Sequence, residues 1–137
     1  MNPKIWGPHA WIFLHTITLN FPDNPTLEQK KHYKDFFESL INIIPCDKCR
    51  YNYMLKIKKH PVNVENRNKL VEWLLFIHNE VNKSNGKKEI TMPELIKTYR
   101  EMYSSKKKDS EITIKKKYIN YIIVLLILIL IYNVYKK

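Results

Sequence analysis

The only two cysteines of the chain, Cys46 and Cys49, stand two residues apart in Pro45-Cys46-Asp47-Lys48-Cys49. That spacing lets two thiols close a small disulfide ring, or lets two thiolates supply half of a metal site. Cys46 follows a proline and is expected in the first turn of a helix. Unpaired N–H groups, the helix dipole, Lys48 and Arg50 all favour a thiolate there. A redox dithiol is therefore chemically reasonable. Two other readings stay open on spacing alone: a buried structural pair, and half of a zinc site. Zinc would need two more ligands, and among His9, His15, His32, His60 and His78 the only H-x3-5-H spacing is His9 to His15.

A redox dithiol needs an electron acceptor, and two constellations could grip one. Trp11 and His15 are four apart and share a helix face. His78, Val81 and Asn82 share another, with Asn79 beside them. Taken singly, each has an ordinary reading: a core aromatic, interior histidines with satisfied hydrogen bonds, a polar helix end. Together they offer a flat aromatic, two imidazoles and two amides, the inventory for holding a planar heteroaromatic cofactor with its ribose and phosphates. Only two glycines occur, and no Gly-rich phosphate loop supports a Rossmann or P-loop mechanism.

The elements that must position these groups read as helices. A first helix is expected from Pro8 to about Phe21, with Trp11, Leu14, His15 and Thr18 as its stripe and Ile12, Phe13 and Ile17 widening it. Pro22-Asp23-Asn24-Pro25 stops it. A second is expected from Thr26 to Ile44, with Phe36, Phe37, Leu40, Ile41 and Ile44 apolar. A third runs from about Cys46 to Lys59, with Tyr53, Met54 and Ile57 apolar, and Pro61 closes it. A fourth spans about Glu65 to Lys83, burying Leu70, Val71, Trp73, Leu74, Ile77, His78 and Val81, and Asn85-Gly86 ends it. Thr91 with Glu94 reads as a capping box for a fifth helix to about Tyr103. No stretch alternates with period two, so the thioredoxin-like use of C-x-x-C, which needs strands, lacks support. The class is all-α, a four-helix bundle plus a short fifth helix.

Charge divides the chain. The net charge is +11. Residues 1–103 hold 16 Lys/Arg against 11 Asp/Glu, and the last 34 hold 8 against 2. The tail's excess lies mainly in Lys106-Lys107-Lys108 and Lys115-Lys116-Lys117. Beside an apolar run such clusters mark a membrane flank rather than a nucleic-acid patch, and no nucleic-acid partner is expected. Residues 118–135 carry no charge and have tyrosines at both ends, which predicts a C-terminal transmembrane helix acting as a tail anchor. Residues 104–117 then form a basic linker and residues 1–103 the folded domain. The positive-inside rule places that domain on the cytoplasmic side. No secretory signal opens the chain, and two cysteines make no disulfide framework.

Three segments carry a resemblance to a known family. They are Trp6-Gly7-Pro8-His9-Ala10-Trp11-Ile12-Phe13-Leu14-His15-Thr16, Pro45-Cys46-Asp47-Lys48-Cys49, and Trp73-Leu74-Leu75-Phe76-Ile77-His78-Asn79-Glu80-Val81-Asn82, with a fainter echo at Tyr99-Arg100-Glu101-Met102-Tyr103. Over about residues 4–103 the chain resembles the Erv/Alr flavin-dependent sulfhydryl oxidases. The resemblance implies a five-helix fold with FAD in the bundle mouth, oxidation of dithiols to disulfides, and electron transfer through FAD to oxygen with hydrogen peroxide as product. It implies a Cys46–Cys49 disulfide, with Cys49 next to the flavin ring and Cys46 exchanging with substrate. The positions matching FAD contacts are Gly7, Trp11, His15, His78, Asn79, Val81 and Asn82, with Lys83, Lys87 and Tyr99 as further candidates. Relatives often have a second cysteine pair that relays electrons, and this chain has none. A thioredoxin-like dithiol protein is then the expected donor, meeting Cys46 directly. The cysteine-poor form resembles oxidases of large cytoplasmic DNA viruses, which suggests a virion membrane or host cytoplasm as the setting and viral membrane or virion proteins as beneficiaries. Relatives pair through their first two helices, so a homodimer is expected. The competing reading is a tail-anchored helical adaptor with a structural cysteine pair.

Overall fold

The first four helices each begin where a short polar or thiol side chain takes up an orphan backbone N–H. In the computed structural model, α1 spans Pro3–Leu19, α2 Leu27–Ile43, α3 Asp47–Lys59, α4 Arg67–Ser84 and α5 Met92–Tyr135. The structure describes residues 1–135, and within α5 the side chains of residues 92–104 and 117–128. There is no β-strand among the described residues.

Asn2 caps α1, accepting from the Lys4 amide at 3.0 Å, and Pro3 occupies the first turn, where its missing N–H costs nothing. The helix therefore starts five residues before Pro8, the expected start. Pro8 is carried inside α1. Thr26 and Gln29 form a reciprocal capping box on α2, at 3.2 Å and 2.9 Å. Asn66 caps α4 through the Lys69 amide at 3.0 Å. Gly86, at φ 65°, supplies the left-handed residue just past the end of α4. Such caps contribute about 1 kcal/mol each.

The chain divides into two compact units, Met1–Met92 and Pro93–Lys137. In the first, α1 packs on α4 and α2 on α3. The pairs are locked together through Phe37 on α2, which meets Trp73 on α4 edge to face at 5.1 Å. Tyr53 on α3 donates its hydroxyl to the Phe37 carbonyl at 2.9 Å. Lys56 on α3 pairs with Glu80 on α4 at 3.8 Å. Phe21, Phe37, Leu70, Leu74 and Ile77 have no exposed surface and form the core with Leu40, Tyr53, Val62 and Trp73. Burying each such large side chain stabilises the unit by about 1.5–3 kcal/mol. Outside the core, Arg67 ties the turn after α1 to α4 through the Phe21 carbonyl and Asp23.

The second unit holds α5, and two expectations are corrected there. The fifth helix is not short: it runs 44 residues, past Tyr103 and through the stretch read as a linker. Nothing from Ser104 to Lys117 interrupts it, since that stretch holds no Pro or Gly and its lysines are good helix formers. Nor is there a C-terminal transmembrane helix: among the described residues, no helix is long and apolar enough to cross a membrane. The described apolar side chains there, Tyr118 to Leu128, cover about 16 Å of helix against a hydrocarbon core of about 30 Å. Side chains 129–135, the rest of the expected span, lie outside the described residues. The expected C-terminal tail anchor is thereby overturned.

Candidate redox site

Cys46 is the N-cap of α3, and it is joined to Cys49 by a disulfide with the two Cα atoms 5.1 Å apart. The Cys46 sulfur also accepts from the Cys49 amide at 3.3 Å. One sulfur thus sits at the positive end of a helix, where a developing thiolate is favoured. Both thiols being joined, neither offers a thiolate to zinc. Among the described residues no group of three His, Cys, Asp or Glu could hold a metal ion. Arg50 braces the segment. Its guanidinium donates to the Ile44 carbonyl at 3.1 Å and pairs with Asp47, so the residues on both sides of Cys46 are held to α3. Sequence reasoning treated Arg50 only as a charge. Its place four residues after the N-cap was the available signal.

On the α1–α4 face, Trp11 and His78 stack at 3.9 Å with rings 7° from parallel. His15 Nε2 and His78 Nδ1 share a hydrogen bond of 3.0 Å. One ring nitrogen must donate and the other accept, so the bond requires at least one neutral imidazole. Burial, and then the neighbouring His78, push His15 down to about 3. Burial, and then the Lys87 ammonium, push His78 down to about 4. Both rings are neutral at physiological pH, and the Lys87 ammonium acts on His78.

A stability prediction follows from the sign of those shifts. Both folded pKa values lie below the unfolded value near 6.5, so the unfolded chain binds more protons in between. Stability is full above about pH 6.5 and falls as pH drops toward 4. A loss on the order of 2 kcal/mol by pH 5 is expected. Melting temperatures measured from pH 7.5 to 5 should fall accordingly; a flat profile would refute the neutral pair.

The structure brings Trp11, His15 and His78 together and sets Lys87 near them. Gly7 lies one turn before Trp11 on α1, and a Cβ built there would meet nothing within 4 Å. Asn82 is buried, Val81 half-buried and Lys83 exposed at the end of α4. The Asn79 amide clasps the Ile90 backbone in both directions at 2.8 Å, closing the loop that carries Lys87. Tyr99 belongs to the second unit and is buried, with its hydroxyl pushed up to about 12 by burial and then by Tyr103. Trp6 was missed as a site residue. Its Nε1 is buried with no hydrogen-bond partner, and its sequence signal is its place at the head of the Trp6–Thr16 segment. Neutral stacked rings, an unused indole donor, an open glycine and a facing ammonium fit a planar heteroaromatic group bearing phosphates.

A helix-capping disulfide on an all-helical scaffold with such a face defines a dithiol–disulfide redox protein. The Erv1 / Alr family profile matches residues 8–116. A probable FAD-linked sulfhydryl oxidase of Acanthamoeba polyphaga mimivirus is 42% identical over 113 residues, 80% of this chain and 79% of the relative. An FAD-linked sulfhydryl oxidase of African swine fever virus is 31% identical over 94 residues, covering 69% and 79%. The crystal structure of the FAD binding domain of Erv1 from Saccharomyces cerevisiae superposes with a TM-score of 0.65 at 31% identity, covering 66% of this chain and 87% of that one. This chain belongs to the Erv1/Alr family of sulfhydryl oxidases.

Proposed function

We propose that the chain is an FAD-dependent thiol oxidase that takes electrons from protein dithiols at Cys46–Cys49 and delivers them to oxygen. The observation that carries this is the Cys46–Cys49 disulfide capping α3 in a member of this family. A substrate thiolate attacks Cys46, the Cys46–Cys49 bond breaks, and a mixed disulfide forms. The substrate's second thiol displaces Cys46, giving the substrate disulfide and two reduced cysteines. Two electrons and two protons have then passed from substrate to enzyme. FAD, when bound, accepts that electron pair and passes it to oxygen, yielding hydrogen peroxide.

The chain's own residues supply placement. The helix N-terminus stabilises the Cys46 thiolate as leaving group, and Arg50 fixes where Cys46 points. Trp11, His15, His78, Val81, Asn82, Gly7, Lys83 and Lys87 form the proposed FAD contacts, with Lys87 as the charge complement of the phosphates. Asn79 serves by holding the Lys87 loop to Ile90. Purified protein should be yellow and consume oxygen with dithiothreitol; a colourless protein that FAD cannot reconstitute would end this reading.

Gly7 offers a sharper check. Because the protein leaves open space at its Cβ, Gly7→Ala should keep or raise the stability of the FAD-free protein, by about 0.5–1 kcal/mol for a helix interior. If Gly7 lies against FAD, the same change should weaken FAD binding about tenfold, or 1.4 kcal/mol. Undiminished FAD affinity would remove Gly7 from the contact set.

The proposal extends to a setting. Similarity to two viral oxidases supports disulfide formation in virion proteins within the host cytoplasm, where thiols are otherwise kept reduced. The donor is a thioredoxin-like dithiol protein, since no second cysteine pair is present to relay electrons. A homodimer through α1 and α2 is part of the proposal, supported by exposed Ile5 and Phe13 on α1 and Leu27 on α2. Light scattering giving a monomer mass would exclude it.

A further inference from the structure

Helix α3 has two unlike sides. At 100° per residue, Tyr53, Ile57, Cys49, Arg50 and Lys56 share one side, and all are buried or half-buried. Lys48, Tyr51, Asn52, Leu55, Lys58 and Lys59 share the other, and all are exposed. Tyr51 is 59% and Leu55 46% exposed, four residues apart and therefore adjacent on the surface. Ile43, 63% exposed, ends α2 just before the cysteines. With Met54, 37% exposed, the redox helix thus shows water three large apolar side chains.

The charges of this face are one-sided. Arg50 pairs with Asp47 and Lys56 with Glu80. Lys48, Lys58 and Lys59 make no ion pair among the described residues, and the one acidic residue of α3 on their side, Asp47 at its first turn, is paired with Arg50. The chain has no third cysteine, so a substrate thiol must come to the start of α3 itself. A segment delivering that thiol has the exposed face of α3 as its immediate neighbour.

We infer that the exposed face of α3 is the substrate-docking surface and selects dithiol segments that carry an apolar residue beside their cysteines and acidic residues a few positions away. The inference rests on the oxidase reading and names its substrate class. Tyr51 and Leu55 take the apolar residue, while Lys58 and Lys59 attract the acids and reject basic segments.

The test uses the full chain loaded with FAD and two reduced probe peptides. Both contain Leu-Cys-x-x-Cys, one followed by four glutamates and the other by four lysines. Oxygen uptake is expected to show a KM about tenfold lower for the acidic peptide at low salt. The preference should shrink toward unity at high salt, where the charges are screened. In Lys58→Gln/Lys59→Gln the ratio should fall below about threefold, and in Tyr51→Ser/Leu55→Ser the KM should rise about fivefold for both peptides. Turnover of dithiothreitol, which docks nowhere, should be unchanged in both variants. Equal KM values in the wild type, or a preference untouched by the lysine variant, would overturn the inference while leaving the oxidase standing. Fluorescence anisotropy with the Cys→Ser forms of the peptides reads docking without turnover. Selective binding by a protein that oxidises no thiol would sink the oxidase reading and keep the docking face. Loss of the apolar patch to a second copy would appear as a concentration-dependent mass that Tyr51→Ser/Leu55→Ser abolishes, and that result also overturns it.

Discussion

Replacing Cys49 by serine is expected to lower the oxidation of dithiothreitol by at least about a thousandfold, with the helical fold retained. A serine oxygen forms no disulfide, so Cys46 loses the partner that lets the enzyme store an electron pair. Non-additivity is expected too: residues that act as one unit fail together, and Cys46→Ser should cost as much as the double variant. The two single variants should still behave differently toward substrate. With Cys49→Ser, Cys46 keeps a thiol at the α3 N-terminus and should be trapped by an activated disulfide as a mixed disulfide visible by mass spectrometry. Circular dichroism should show unchanged helix content. A Cys49→Ser protein with full activity would mean that the pair is structural and would restore the adaptor reading.

The largest effect on stability is expected from Phe37→Ala. Phe37 is wholly buried, meets Trp73 edge to face, and carries the carbonyl that accepts the Tyr53 hydroxyl. It therefore joins α2, α3 and α4 at one point. Truncating a core phenylalanine costs about 3–5 kcal/mol, from lost transfer energy and the cavity left behind. For a unit of this size that corresponds to roughly 20 °C in melting temperature. Phe37→Leu, which keeps most of the volume, should cost about 1.5 kcal/mol or less. Both should be measured with and without FAD, because a bound cofactor raises apparent stability by mass action. A shift of only a few degrees for Phe37→Ala would mean that the α2–α4 contact is not central to the core.

Much of this was legible in the chain because the signals are local. Helix α2 is an example: Thr26 at its start and the Phe36, Phe37, Leu40, Ile41, Ile44 stripe are readable at 3.6 residues per turn, and the structure buries or half-buries every one of the five. Its capping box with Gln29 completes that start. The start of α1 was misplaced because Pro8 looked like a first-turn proline, while the Asn2-Pro3 pair that performs that role lies five residues earlier. The end of α5 was misplaced because a change of composition was taken for a change of conformation; no residue there breaks a helix. Apolar character misled as well. Ile12 and Phe13 were placed in the apolar surface of α1, yet they are 39% and 60% exposed, since the side of α1 that meets α4 is the one carrying His15 and Thr18.

The sequence by itself determined an all-helical chain, a single cysteine pair at a helix start, and aromatic and imidazole groups on the faces of α1 and α4. Each of those depends on neighbours within a few residues. Only the tertiary structure decided that His15 and His78 share a hydrogen bond, that Trp11 lies flat on His78, that Asn79 clasps Ile90 rather than reaching outward, and that Arg50 braces Cys46. The first two of these depend on packing between segments far apart in the chain, and all four on which rotamer each side chain adopts. Periodicity tells which face a residue is on; it carries no information about which partner meets it there.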